Sequence, residues 1–176
     1  SMSGGLGDDT LAGGNFATNS MSGDEGNDTL TGGGLDLATI WDEVVSGDFD
    51  LASLGAALLV GTTNDMSGGD GDDTLTGGSG PNVTNNMNGD GGPDPLFDGE
   101  DILWGGSLGA ENNMSGGGAD DWLIGGSVGT ENHMFGDEGD DKLVGGSLLG
   151  TTIDMNGGAG EDILLGGLAQ NGMTGG

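Results

Sequence analysis

Large apolar side chains in this chain mostly stand alone between small or polar residues, and they return at fixed places. One series is Leu11, Leu30, Leu75, Leu103, Leu123, Leu143 and Leu164. A second is Met2, Met21, Met66, Met87, Met114, Met134, Met155 and Met173. Residues two apart on a strand share a face. Thr29-Leu30-Thr31 therefore predicts a very short strand burying one side chain, and Asn19-Ser20-Met21 predicts a strand burying two. Successive Met residues lie 19, 45, 21, 27, 20, 21 and 18 residues apart, so the unit is about 20 residues with two interruptions. Units of that length bury their apolar faces only by stacking on one another. The expected fold is all-β, a single domain over 1–176: a parallel β-roll or β-solenoid of seven to eight rungs with one short helical insertion.

Each Leu closes a segment of the form G-G-x-G-x-D-x-L-x, as in the run from Gly68 to Thr76. Glycine tolerates positive φ, so such a segment turns tightly and exposes its carbonyls. Two residues before each Leu stands an acid: Asp9, Asp28, Asp73, Asp101, Asp121, Asp141 and Asp162. The turn glycines Gly4, Gly23, Gly68, Gly116, Gly136 and Gly157 offer backbone carbonyls beside them. Calcium takes roughly six to eight oxygens from carboxylates and carbonyls. One turn supplies half such a shell and the equivalent turn one rung along supplies the other half. Seven stacked turns would then share about six Ca2+ ions along one edge.

Charge makes a metal necessary as well as possible. Asp and Glu number 30 against a single basic side chain, Lys142, for a formal charge of -29, and 45 residues are Gly. A chain this acidic repels itself and stays unfolded unless cations neutralise it. The same charge argues against nucleic acid or an anionic membrane as partner. There is no Cys, hence no thiolate site or disulfide, and no stretch has the apolar length of a membrane span. The first residues show no basic region followed by an apolar one, so no signal peptide is expected.

The nonapeptide G-G-x-G-x-D-x-L-x, in seven near-copies, resembles the calcium-binding repeat of RTX (repeats-in-toxin, haemolysin-type) proteins. The resemblance covers nearly the whole chain apart from its insertions. It implies type I secretion from a Gram-negative bacterium and folding outside the cell, where calcium is plentiful. In that family both nonapeptides of a turn carry the calcium motif, and here the second half departs from it. GGSLGAENNM from Gly105 and GGSVGTENHM from Gly125 lack the Asp. Calcium is expected on one edge and a different, metal-free turn on the other. Glu111 and Glu131 are a weaker alternative ion site, since Thr152 holds the matching place in the next rung. Asn19, Asn64, Asn85, Asn112, Asn132 and Asn171 should share the inward side with Met and form an amide ladder, broken once by Ile153.

Outward positions beside Leu change character along the chain. Early ones are small or polar, as Thr10, Ala12, Thr29, Thr31, Thr74 and Thr76. Later ones become Ile102, Trp104, Trp122, Ile124, Lys142, Val144, Ile163 and Leu165. Such an apolar patch marks a contact surface, with another subunit, another domain of a longer chain, or the insertion. That insertion, 35–63, has Leu37, Ile40, Trp41, Val44 and Val45 at helical spacing, and reads as a helical flap on the roll, with an interaction arm as the alternative. A shorter one, 92–98, reads as a Pro-containing surface loop.

No catalytic constellation appears, and His133, the one His, falls at an outward position, so the chain is not expected to be an enzyme. The repeats begin and end without atypical capping units. Either the chain is cut from a longer array or its molecules stack end to end in a fibre, surface layer or adhesin stalk. An accessory module of a larger secreted enzyme is the alternative. Ice binding ranks lower, because only Thr10, Thr29 and Thr74 align.

Overall fold

A computed structural model describes residues 1–35, 41, 44–46, 59, 61–90, 98–146, 148, 151–168 and 170–176. Two parallel sheets face each other across a thin core. One sheet stacks β1 (Met2–Leu6), β3 (Thr18–Glu25), β5 (Thr62–Asp70), β7 (Val83–Asn88), β9 (Glu111–Gly117), β11 (Glu131–Glu138), β13 (Thr152–Ala159) and β15 (Gln170–Thr174) in that order. The other stacks three-residue strands: β2 (Thr10–Ala12), β4 (Thr29–Thr31), β6 (Thr74–Thr76), β8 (Ile102–Trp104), β10 (Trp122–Ile124), β12 (Lys142–Val144) and β14 (Ile163–Leu165). The chain alternates between sheets, so one strand of each makes a rung. Among the described residues there are seven full rungs and a further half formed by β15, the β-roll expected from the repeat.

Register is identical from rung to rung. Met2 pairs with Met21, Met21 with Met66, and so on to Met173, while Leu11 pairs with Leu30 and onward to Leu164. Six Met and six Leu of these columns, with Ile153, are buried as one continuous core. Burial of each such side chain contributes about 1.5–3 kcal/mol. The core is one side chain deep in each sheet, so the edges must supply much of what holds the rungs together. Met173 differs from expectation. It lies in register with Met155 but is 53% exposed, because no strand covers β15 among the described residues.

The edge that lacks Asp is built on asparagine. Each Asn side chain, two residues before Met, points inward and reaches along the roll. Nδ2 of Asn19 donates to Oδ1 of Asn64, Asn64 to Asn85, Asn85 to Asn112 and Asn112 to Asn132, all at 2.8 Å. The same amides clip the preceding turns: Oδ1 of Asn112 accepts from the Gly106 N–H at 2.8 Å, and its Nδ2 donates to the Gly106 carbonyl at 2.9 Å. Every donor and acceptor of the ladder amides from Asn64 to Asn132 is thus used. Ile153 ends the series, and Asn171 beyond it bonds the Gly167 carbonyl at 3.1 Å.

Both insertions leave the roll at an edge, with boundaries slightly tighter than the sequence suggested. The roll resumes with β5 at Thr62, and Asp98 already bridges to Gly71. Within the long insertion Trp41, Val44, Val45 and Leu59 are helical and exposed. The rest of the predicted flap, and the short loop up to residue 97, lie outside the described residues. Among the described residues no helix is long and apolar enough to cross a membrane.

Candidate metal centre

The opposite edge joins each Met strand to the Leu strand of its rung. Outside the turn at Asp90, the second turn position is left-handed whether glycine fills it, as at Gly117 (φ 118°), or aspartate does, as at Asp24 (78°) and Asp137 (77°). Hydroxyl groups fasten the aspartate versions. Ser22 donates to Asp24 Oδ1 at 2.7 Å and Ser3 donates to its Oδ2, which together hold that carboxyl below the ordinary carboxylate range. Ser115 donates to Asp137 in the same manner.

The aspartates two residues before Leu form a single line. Asp28, Asp73, Asp101, Asp121 and Asp141 are buried, with Asp9 and Asp162 partly so at the two ends. The backbone N–H of each donates to Oδ1 of the next, from Asp9 to Asp28 through Asp141 to Asp162, at 2.6 to 3.0 Å. The other oxygen has no such partner. Oδ2 of Asp28, Asp73, Asp101, Asp121, Asp141 and Asp162 is buried and accepts no hydrogen bond.

Glycine leaves room beside each orphaned oxygen. A Cβ placed on Gly116 would lie 2.1 Å from Asp121 Oδ2 and 2.8 Å from the carbonyl oxygen of Gly136, one rung on. At Gly23 the corresponding distances are 2.0 Å to Asp28 Oδ2 and 2.5 Å to the Gly68 carbonyl, and at Gly136 they are 2.1 Å to Asp141 Oδ2 and 2.3 Å to the Gly157 carbonyl. At Gly23, Gly68, Gly116 and Gly136, then, an unsatisfied carboxylate oxygen and a carbonyl of the following rung converge on the same glycine. The expected glycines Gly4, Gly23, Gly68, Gly116, Gly136 and Gly157 all occupy this first turn position. So does Gly89, which sequence reasoning passed over: its Cβ would meet Asp101 Oδ2 at 2.0 Å and the Gly116 carbonyl at 2.5 Å. The longer stretch of sequence between Gly89 and Asp101 hides the motif, although the place of Gly89 two residues after Met87 marks it.

Without a cation these carboxyls are costly to ionise. Burial, with neighbouring acids adding to it, pushes Asp73 up to about 7, Asp121 to about 8 and Asp101 to about 9. Burial raises Asp90 and Asp141 as well. Buried carboxylates without donors are stable when a cation takes the donors' place. Among the described residues no three His, Asp or Glu side chains gather at one point, so the oxygen set per turn is one carboxylate with backbone carbonyls. Hard oxygen donors of this kind suit calcium rather than zinc or copper. The residues fit the ion the turn motif implies.

On the other edge Glu111 and Glu131 are exposed and directly paired, with Thr152 next in register. The Asn ladder already satisfies that edge. His133 points outward as expected, with Nδ1 3.4 Å from Asp154 Oδ2.

Fold and edge together define a parallel β-roll in which one edge carries a line of buried carboxylate oxygens without donors. Comparison with protein families gives the class its name: the RTX calcium-binding nonapeptide repeat matches in four copies, over 1–17, 14–34, 61–83 and 130–147. These stretches of the chain are RTX repeats, which bind calcium. Rungs outside the matched stretches, those of Asp101, Asp121 and Asp162, keep the same register and hydrogen bonds. No curated protein matches the chain, and no solved structure matches it.

Proposed function

We propose that this chain is a calcium-gated structural module of a secreted or cell-surface protein of a Gram-negative bacterium, exported by type I secretion. The observation that carries the reading is the line of six buried carboxylate oxygens without donors, in a chain of net charge -29. Where calcium is scarce the line repels itself and the chain stays open. Where calcium is abundant, Asp28, Asp73, Asp101, Asp121, Asp141 and Asp162, with the carbonyls of the first turn glycines, would hold ions shared between rungs. Binding free energy then becomes folding free energy. The role is structural rather than enzymatic.

Two features support association with further protein. The outward strand edges of β1 and β15 have no partner among the described residues, and such edges accept further strands, from a second molecule or from more repeats. Ile102, Trp104, Trp122, Ile163 and Leu165 are exposed on one continuous face, with Ile124 and Val144 partly covered and Lys142 Nζ 4.9 Å from the Trp122 ring centre. End-to-end assembly is the principal reading. That apolar face also favours a second one, an accessory module packed on a neighbouring domain of a larger secreted enzyme.

Titrating calcium into the EDTA-stripped chain, followed by far-ultraviolet circular dichroism and light scattering, tests the proposal. A coil-to-β transition with rising scattering is expected. The same transition without scattering would retain gating and discard self-assembly. A chain already fully β-structured without calcium would sink the gating itself.

A further inference from the structure

The turn after Met87 departs from the others on the aspartate edge. Asp90 holds its second position, and the extra stretch 91–97 follows before the chain rejoins the roll at Asp98. Where aspartate fills that position elsewhere, at Asp24 and Asp137, the backbone is left-handed and the carboxyl is exposed and held by serine. Asp90 lies outside the left-handed region and is partly buried. Its carboxyl reaches into the following rung. Oδ2 accepts from the Gly118 N–H at 2.5 Å, and Oδ1 accepts from the Gly99 N–H at 3.3 Å.

Three successive glycines on that next rung leave room for three carboxylates. A Cβ on Gly116 would lie 2.1 Å from Asp121 Oδ2, one on Gly117 2.3 Å from Asp90 Oδ2, and one on Gly118 2.7 Å from Asp98 Oδ2. The Gly116 carbonyl accepts from the Asp90 N–H at 3.2 Å, and it is the same carbonyl that meets Asp101 Oδ2 beside Gly89. Asp101 and Asp121 are 1% and 0% exposed, and the Oδ2 of each has no donor. Asp90 thus brings a further negative charge beside two buried oxygens that already lack partners. That charge adds to the repulsion felt by Asp73, Asp101 and Asp121. The two N–H groups on Asp90 do not exhaust it, because an ionised carboxylate has about four lone-pair sites. Bonds of this kind orient a metal ligand. Asp98 comes from the far end of the 91–97 stretch, so a cation here faces acids from both ends of that insertion.

We propose that the cation shared by the turns of Asp101 and Asp121 takes Asp90 as a further carboxylate ligand, with Asp98 alongside, and is the ion the chain binds most tightly. The inference rests on the calcium reading above. Affinity for a hard cation rises with ligand charge and site rigidity, and this turn adds both. The probe is terbium(III), an oxygen-seeking ion that luminesces when a nearby tryptophan passes it energy. One equivalent added to the calcium-loaded full chain should displace calcium first here, where Trp104 and Trp122 stand on β8 and β10, just after Asp101 and Asp121. Asp90→Asn should weaken that first binding about tenfold or more, and Asp137→Asn, at the same turn position but facing outward, should leave it unchanged. Replacing both Trp104 and Trp122 by Phe keeps every carboxylate and should abolish the emission while terbium still binds. Unchanged affinity in Asp90→Asn, equal loss in Asp137→Asn, or emission that survives without the two tryptophans would each overturn the proposal. Circular dichroism of the same samples reports the roll separately. A chain that folds without calcium would end the gating reading and leave the terbium result standing.

Discussion

The backbone N–H of Asp101 donates to Oδ1 of Asp121 at 2.8 Å, while the other oxygen of that buried carboxylate meets no donor. One carboxyl thus has two tasks, pinning the preceding rung with one oxygen and presenting the other to a cation. Substitutions separate them. Asp121→Asn keeps an acceptor for Asp101 and removes the charge, so the chain should bind fewer calcium ions, less tightly. Asp121→Ala also strands the Asp101 N–H, adding about 1–3 kcal/mol of destabilisation. Calcium stoichiometry from calorimetry, with denaturation midpoints in calcium, distinguishes the two.

Acid should stabilise the metal-free roll. Asp73, Asp121 and Asp101 have folded-state pKa values of about 7, 8 and 9 against 3.8 for an unperturbed Asp. The folded chain therefore holds protons that the unfolded chain has released. Their stabilising contribution is full below the unfolded value and is lost as pH rises through the folded ones. In EDTA, the β-structured fraction seen by circular dichroism should be greater at about pH 5 than at about pH 8.5. In calcium the order should reverse, because the ion requires the ionised carboxylates.

The turn glycines should differ sharply in tolerance. Gly116→Ala drives a methyl into Asp121 Oδ2, 2.1 Å away, and into a neighbouring carbonyl, so it should abolish ion binding at that rung. Gly14, on the Asn edge, has nothing within 4 Å of an added Cβ, and its φ lies outside the left-handed range. Gly14→Ala should be neutral or stabilising by about 0.4–1 kcal/mol, from reduced freedom of the unfolded chain. Parallel calcium titrations and thermal melts of the two variants check this.

Ladder asparagines should matter by position. Asn112→Ala removes bonds to Asn85, Asn132 and both backbone groups of Gly106, leaving buried groups unpaired at a cost of at least about 2 kcal/mol. Asn171, exposed and past the Ile153 break, should tolerate Ala with a change under about 1 kcal/mol. Chemical denaturation in saturating calcium measures both.

Much of this architecture was legible because every rung restates it. Seven Leu two residues after seven Asp, with Met and Asn at constant offsets, marked the inward faces, the line of aspartates and the amide ladder. What escaped depended on geometry that spacing does not carry. Gly89 was missed because extra sequence stands between it and its Asp. Nothing in the order of residues tells which carboxylate oxygen bonds backbone and which is left over.

Asn19 and Asn64 are 45 residues apart in sequence and Asn112 and Asn132 only 20, yet both pairs are joined by a bond of 2.8 Å. Molecular distance in this protein is counted in rungs, not residues. A segment spliced into an edge turn leaves the pairing on either side unchanged, and a duplicated unit lengthens the rod by one fixed step. The roll is therefore a ruler that can be extended or fitted with side arms by simple insertion, without renegotiating its core.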